Sequence, residues 1–363
     1  MRRFIECLLP SSICNLKCSY CYLIQQDRRK NKKAEFQYPP KIIAKALSVS
    51  RLGGVSLISI TGEGETLVAN ELPQIVSEIL KQGHFVNITT NGTLSKQLDR
   101  ILEETEGYHS KLHFSFSFHY VELLKKKLVD TFFDNIQKVK KSGCSILLQI
   151  NLADEYVPYW EEIKRISKEK CGALPQVALT REQSNGSFKI MTKTMSDEEY
   201  IQKGKEMNSP LFDFTCKNFM VKRNEYCYAG FWSATLNLCT GEMTGCYGNG
   251  IKQNIFKNIE KPIKWMPIGK HCCAKYCFNS SHFMSQGIIP ELLPLPSYGA
   301  LRNRDSADWY TEDAKQFLYS QFEKSNNLIS KSKQLLYNCQ FYTSKLQKFI
   351  HRICIKFLGF CSC

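Results

Sequence analysis

The stretch Cys14-Asn15-Leu16-Lys17-Cys18-Ser19-Tyr20-Cys21 places three thiols within eight residues. That is too dense for ordinary core packing and too close for a long-loop disulfide framework. The C-x3-C-x2-C spacing curls a short loop so that all three sulfurs face one point. A soft thiolate cage of this kind suits iron–sulfur chemistry or zinc. A purely structural site of either kind usually takes four protein ligands. Three leave one position open, which points to chemistry; a zinc knuckle with its fourth ligand elsewhere in the chain is the competing reading.

Composition narrows the class. The chain has 363 residues, 43% of them apolar, enough for one large domain with an appendage or for two domains. It has no run of eighteen apolar residues, and Met1-Arg2-Arg3 leads straight into a strand-like segment with no signal-peptide core. Seventeen cysteines without a secretory signal indicate metal-bound thiolates in a reducing compartment, with the cytoplasm as the expected location. The net charge of +15 is uneven: Lys324 to Cys363 holds seven Lys/Arg and no Asp or Glu. A global nucleic-acid role therefore has thin support, although an RNA-modifying enzyme stays among the readings.

Outward from the thiols, strands and helices alternate. Strands are expected at Phe4 to Leu9, Val55 to Ile60, Phe85 to Thr89, Leu112 to Phe118, Ser145 to Ile150 and Gln176 to Thr180. Between them lie expected helices at Ile42 to Leu52, Leu72 to Lys81, Ser95 to Glu104, Asp130 to Lys141 and Tyr159 to Lys170. Such alternation indicates parallel βαβ units. Six units by residue 180 suit a partial (β/α)6 TIM-type barrel; the sequence beyond 190 does not supply the two further repeats of a complete one. In barrels of this type the chemistry sits at the C-terminal ends of the strands.

With an aromatic, Tyr20, just before the last cysteine, the C-x3-C-x2-C run resembles the signature of the radical S-adenosylmethionine (radical SAM) superfamily. The resemblance implies that Cys14, Cys18 and Cys21 hold a [4Fe–4S] cluster whose fourth iron binds S-adenosylmethionine. It also implies reductive cleavage to a 5′-deoxyadenosyl radical, with a reductant such as flavodoxin or ferredoxin as partner. After the second strand, Thr61-Gly62-Glu63-Gly64-Glu65-Thr66 resembles the family's Gly-Gly-Glu-Pro loop, with Thr66 where proline is usual. Its two glycines let backbone approach a ligand closely, and Gly62, Gly64 and Glu65 become candidate cofactor contacts. Thr89-Thr90-Asn91-Gly92 matches a further family element and adds Asn91. Relatives often place a serine on strand four near the cofactor. Ser115 and Ser117 share one face there, and Ser117 lies nearest the C-terminal end. His119 and Asn151 end strands four and five and are candidates for substrate or ribose.

A second cysteine group follows. Cys227, thirteen residues, Gly241, four residues and Cys246 resemble the opening of a SPASM/twitch auxiliary-cluster module, followed by Gln253-Asn254-Ile255-Phe256 and His271-Cys272-Cys273-Ala274-Lys275-Tyr276-Cys277. The further cysteine run of a full SPASM module is absent, so one auxiliary [4Fe–4S] cluster of the twitch form is expected. Its ligands are Cys227, Cys246 and Cys277, with Cys272 and Cys273 competing for the fourth place and zinc as the other occupant. Cys144, Cys171, Cys216 and Cys239 read as buried or incidental thiols. His282 is either a substrate contact or a surface group, and Arg302-Asn303-Arg304-Asp305 has no assigned role.

The expected organisation is a barrel at 1–190, the small cysteine-rich module at 191–295 and a helical basic tail at 296–363. The tail from Lys331, through Phe349 to Phe360, allows contact with a membrane surface; a helix packed over the barrel is the alternative, and Cys361-Ser362-Cys363 resembles a prenylation end. Hydrogen abstraction from a small molecule, with net oxidation aided by the auxiliary cluster, is the expected activity, since the chain opens directly on the barrel without a leader-binding domain. A peptide-modifying maturase is the second reading, and a zinc-stabilised binding protein is the non-enzyme reading.

Overall fold

The computed structural model describes residues 1–184, 188–247, 249–278 and 280–342. Strands β1 (Phe4–Leu9), β2 (Leu57–Gly62), β3 (Phe85–Thr90), β4 (Leu112–Ser117), β5 (Ser145–Asn151) and β6 (Gln176–Ala178) lie side by side in that order, each parallel to the next. The expected α/β fold and parallel sheet are present. The helix expected over 42–52 is broken into Pro40–Ala46 and Val49–Leu52, because Ser48 between them adopts an extended backbone.

Alternation along the strands sorts side chains into two chemically opposite faces. Ile5, Cys7 and Leu9 on β1 share a face with Ile58, Ile60, Val86, Ile88, Phe114, Phe116, Ile146 and Leu148, all buried. Helices cover this side; Phe116 and the following Phe118 pack on Phe132 of the helix Val129–Lys141 at 6.0 and 5.1 Å. The other face carries Glu6, Ser59, Thr61, Asn87, Thr89, His113, Ser115, Ser117 and Gln149, with Leu8 and Leu147 among them and Phe4, Leu57 and Phe85 at its N-terminal end. There the Ser115 hydroxyl donates to Asn87 Oδ1 (2.8 Å) and Asn87 Nδ2 donates to Ser59 Oγ (2.9 Å). A face this polar is no hydrocarbon core; it is suited to a polar ligand.

A seventh parallel strand, β7 (Ser233–Asn237), pairs with β1, and β8 (Glu242–Thr244) and β9 (Gln253–Asn254) follow antiparallel. The strand order is β6-β5-β4-β3-β2-β1-β7-β8-β9, an open sheet. Sequence spacing misses β7 because it is short, half polar and not followed by a helix. It joins the β1 edge, so the second cysteine region is built onto the barrel sheet itself.

The segment around Arg302, which has no role from sequence alone, closes the N-terminal end of the sheet. Phe4 at the start of β1 meets Phe283 and Tyr298, Phe85 stacks on Phe317 at 4.0 Å, and the Ile146 N–H donates to the Trp309 carbonyl at 2.8 Å. Buried Arg302 lies over the Tyr298 ring at 3.8 Å and donates to the Ser281 carbonyl. Arg304 donates to the carbonyls of Leu174, Pro175, Met207 and Asn208. Residues 331–342 are helical, as expected for the tail; the rest of the tail, including Phe349 to Phe360 and Cys361–Cys363, lies outside the described residues. No helix among the described residues is long and apolar enough to cross a membrane.

A pH dependence follows from His84. Its Nδ1 accepts from the Ser56 N–H (3.1 Å) and its Nε2 donates to the Leu47 carbonyl (2.7 Å), which fixes one neutral tautomer. Burial lowers its pKa to about 4, outweighing the Leu47 hydrogen bond. A histidine lowered in the folded state contributes stability that is complete above its unfolded pKa and is lost as pH falls towards 4. The expected loss between pH 6.5 and 4 is at most about 3 kcal/mol. Urea midpoints across that range check it, and His84→Gln should flatten the profile.

Candidate active site

The cysteine loop leaves the C-terminal end of β1, at the mouth where barrels of this kind place their chemistry. Four elements hold it. The Glu63, Gly64 and Glu65 N–H groups donate to the carbonyls of Leu9 (3.0 Å), Ser11 (2.6 Å) and Ile13 (2.8 Å), so the loop after β2 runs alongside residues 9–13 like an added strand. A Cβ on Gly64 would stand 2.2 Å from the Ile13 carbonyl oxygen, so only glycine allows this approach. Arg29 donates to the Cys14 carbonyl (2.6 Å), and Glu122, on the helix Tyr120–Lys125 after β4, accepts from the Lys17 N–H (2.8 Å). Burial works against the charge of Glu122, but the Lys17 N–H and Lys125 outweigh it, and its carboxyl lies below the usual range.

Glu65 and Asn91 hold the loop through side chains. The buried Glu65 carboxylate accepts from the Leu67 N–H (2.9 Å), the Thr90 hydroxyl (2.6 Å) and the Asn91 N–H (2.7 Å), tying the loop after β2 to the end of β3. Asn91 Nδ2 donates to Asn15 Oδ1 (2.8 Å) and points at Cys14 Sγ (3.8 Å), while Asn15 donates to the Thr93 hydroxyl. Both side chains thus order the thiol loop. Thr66, where the family motif has proline, accepts from the Gly62 N–H with its hydroxyl (2.8 Å), a contact proline cannot make.

Cys14, Cys18 and Cys21 are free thiols. Burial raises Cys18, and the neighbouring charges of Cys14 and Cys21 raise it further. Burial also raises Cys14, while the Leu16 N–H opposes it. Such thiols keep their protons until a metal displaces them. Tyr20 is buried, and its hydroxyl bonds to His119 Nδ1 (2.6 Å) and the Tyr156 hydroxyl (2.8 Å), joining the loop to the ends of β4 and β5. Ser117 is half-buried at the mouth end of β4, and Asn151 Nδ2 donates to the Thr180 hydroxyl at 3.4 Å. His282 packs against Phe4 and Tyr298 at the closed end, away from the thiol loop.

The second thiol set lies across β1. The charges of Cys277, Cys246 and Cys272 all bear on half-buried Cys227, whose thiol is raised first by burial and further by them. Cys273 is exposed and donates to Asn249 Oδ1 at 3.0 Å. Next to Cys246, the Tyr247 hydroxyl donates to Glu6 Oε1 on β1 (2.8 Å). Burial raises the Glu6 carboxyl to about 7, against the Tyr247 hydrogen bond and the charge of Arg302. β1 therefore links both thiol sets, a role that no local pattern at Glu6 signals. Cys144, Cys171 and Cys239 are buried and Cys216 half-buried.

The spacing of Cys14, Cys18 and Cys21 predicts three sulfurs facing one point, but among the described residues no three His, Cys, Asp or Glu side chains converge as ligands of one metal ion do. Cluster thiolates ligate different irons, so such convergence is not what a cluster requires. Three free, soft thiols at the barrel mouth fit a [4Fe–4S] group with one open iron.

Residues 8–166 match the model of the radical SAM superfamily. No curated protein matches the chain. Among solved structures, it is similar to Streptococcus suis SuiB bound to S-adenosylmethionine, with 18% identity, TM-score 0.50, 70% of this chain covered and 64% of SuiB. The chain thus spans just under two thirds of that relative's length. It is also similar to anSMEcpe with bound AdoMet and the Cp18Cys peptide, with 15% identity, TM-score 0.48, and 71% and 78% of the two chains covered.

Proposed function

We propose that this chain, whose residues 8–166 match the radical SAM superfamily model, is an enzyme that binds a [4Fe–4S] cluster and S-adenosylmethionine and oxidises a polar small molecule by hydrogen-atom abstraction. The observation that carries the reading is the polar inner face of the sheet, open at the thiol loop and closed at the far end by residues 283–317. When bound and reduced by one electron, the cluster–cofactor pair supplies a 5′-deoxyadenosyl radical. The chain's own residues prepare for this. Arg29, Glu122, Glu65 and Asn91 fix the loop, Tyr20 locks it to β4 and β5, and Ser115, Asn87 and Ser59 form a hydrogen-bonded row across the inner face.

Cys227, Cys246, Cys272 and Cys277 are the proposed ligands of a second [4Fe–4S] group, a place for the second electron of a net oxidation. The mutual influence of these four thiols supports the assignment, as does the outward position of Cys273. A peptide substrate is the second reading, favoured by the sheet's being open between its β6 and β9 edges.

Anaerobic reconstitution with iron and sulfide counted, then an assay for 5′-deoxyadenosine with dithionite and S-adenosylmethionine, tests the proposal. About eight irons per chain are expected. Cys272→Ala should lower the count towards about four, whereas Cys273→Ala should leave it unchanged. Zinc alone with no cofactor cleavage would sink the enzyme reading. Deuterium transfer into 5′-deoxyadenosine from labelled peptides, but not from labelled polyols or amines, would favour the peptide reading.

A further inference from the structure

The helix over residues 331–342 has one face seated and, among the described residues, one largely exposed. Its seated face is made by Gln334, Tyr337, Asn338 and Phe341, all partly buried. Tyr337 lies 6.3 Å from Phe231, Asn338 Oδ1 is 3.1 Å from His271 Nε2, and Phe341 stacks on the His271 ring at 4.0 Å. The opposite face carries Leu335 (65% exposed), Leu336 (55%), Cys339 and, at its edge, Tyr342 (62%), whose ring also meets His271 edge-on at 5.1 Å, with Leu328 exposed just before the helix. At about 100° per residue, these outward positions fall in one arc, with Lys331 bounding it on one side and Lys333 on the other. A stripe of large apolar side chains between lysines is the pattern of a helix lying in a lipid interface, its cations reaching the headgroups.

Charge selects the occupant. From Lys324 to the end of the chain there are seven Lys/Arg and no Asp or Glu. A second copy of the same face would bring like charges together with no carboxylate to pair them. Apolar residues also continue in the sequence beyond the described helix: Leu346, Phe349, Ile350, Ile353, Phe357 and Phe360 fall at i, i+3, i+4, i+7, i+11 and i+14, interleaved with Lys345, Lys348, Arg352 and Lys356. That apolar run is long for a transient protein contact and suits hydrocarbon. With no membrane-crossing helix among the described residues, the contact is with a surface.

We propose that the outer face of the helix at 331–342 docks this enzyme onto an anionic lipid surface, through Leu335, Leu336 and Tyr342 in the interface and Lys331 and Lys333 at the headgroups. Because His271, on which the inner face rests, precedes Cys272, the docked helix would hold the second thiol region beside the membrane.

The test is flotation of the full-length protein with vesicles of phosphatidylcholine containing about 30% phosphatidylserine, against vesicles of phosphatidylcholine alone. Retention on the anionic vesicles is expected to exceed that on neutral ones by at least about tenfold, and to fall as salt rises. Leu335→Asp with Leu336→Asp, and separately Lys331→Glu with Lys333→Glu, should each cut retention by about tenfold. These side chains are exposed or carry no core contact, and circular dichroism checks that the fold survives. No retention of the wild type, equal retention on both vesicle types, or undiminished retention of the leucine variant would each overturn the proposal. So would a dimer that the leucine variant converts to monomer, which would give the face to a second copy.

Discussion

Replacing Cys18 with alanine is expected to reduce 5′-deoxyadenosine formation by more than about a hundredfold, since even outer-shell losses at metal sites reach that range. Cys18 is the middle thiol of the three-thiol loop and a proposed cluster ligand, and the charges of both Cys14 and Cys21 act on it. With two thiolates left, the proposed cluster would lose an iron ligand. Among the described residues, the near side chains already have partners: Glu122 holds the Lys17 N–H, and Tyr20 bonds His119 and Tyr156. Iron and sulfide counts after reconstitution should fall by about four, with any iron at the second thiol set retained. Cys144→Ala, which alters a buried thiol elsewhere, should leave both count and rate unchanged. Near-normal product from the Cys18 variant would remove the thiol loop from the chemistry altogether.

Gly64→Ala should have the second-largest effect although it changes no functional group. The added methyl would sit 2.2 Å from the Ile13 carbonyl oxygen and 3.0 Å from that of Ser11. Both obstacles are backbone, which cannot rotate aside as a side chain would. The loop after β2 must move off residues 11–13, breaking the Gly64 to Ser11 and Glu65 to Ile13 hydrogen bonds. It also draws away Glu65, whose carboxylate fixes the end of β3. A stability loss of about 1–3 kcal/mol is expected, as for other overpacked positions. Product formation should fall by about 10- to 100-fold, as when a metal site's supporting shell is disturbed. Chemical denaturation and the 5′-deoxyadenosine assay check the two effects separately. A variant with unchanged stability and rate would show that the close approach of the two loops is not needed.

Much of this architecture is legible in local sequence. The strands and most helices of the first 180 residues can be read from alternating and helical apolar spacing, because their side chains are sorted by a helix-covered side and a polar inner side. Ser115 and Ser117 against Phe114 and Phe116 is the plainest instance. The thiol loop and the glycine loop are legible because metal ligation and close backbone approach demand particular residue types at short spacing. β7 is not legible: five residues of mixed polarity acquire their strand character only from β1 beside them.

The roles of several residues also required the fold. Glu65 and Asn91 are candidate cofactor contacts by motif, yet their side chains tie the ends of β2 and β3 to the thiol loop. Cys272 and Cys273 are equivalent in sequence, and only the fold separates them: Cys272 is half-buried, whereas Cys273 is exposed and donates to Asn249.

Local spacing alone is thus enough for the parallel α/β sheet, the three-thiol loop and the existence of a second cysteine group. These depend on spacing over a few residues, which backbone geometry converts directly into facing. The tertiary structure decided what lies opposite each face: Tyr247 on Glu6 across 241 residues, Arg302 and its neighbours sealing the far end, and the seated side of the helix at 331–342. Such contacts join distant segments through packing and hydrogen bonding, and no local periodicity records them.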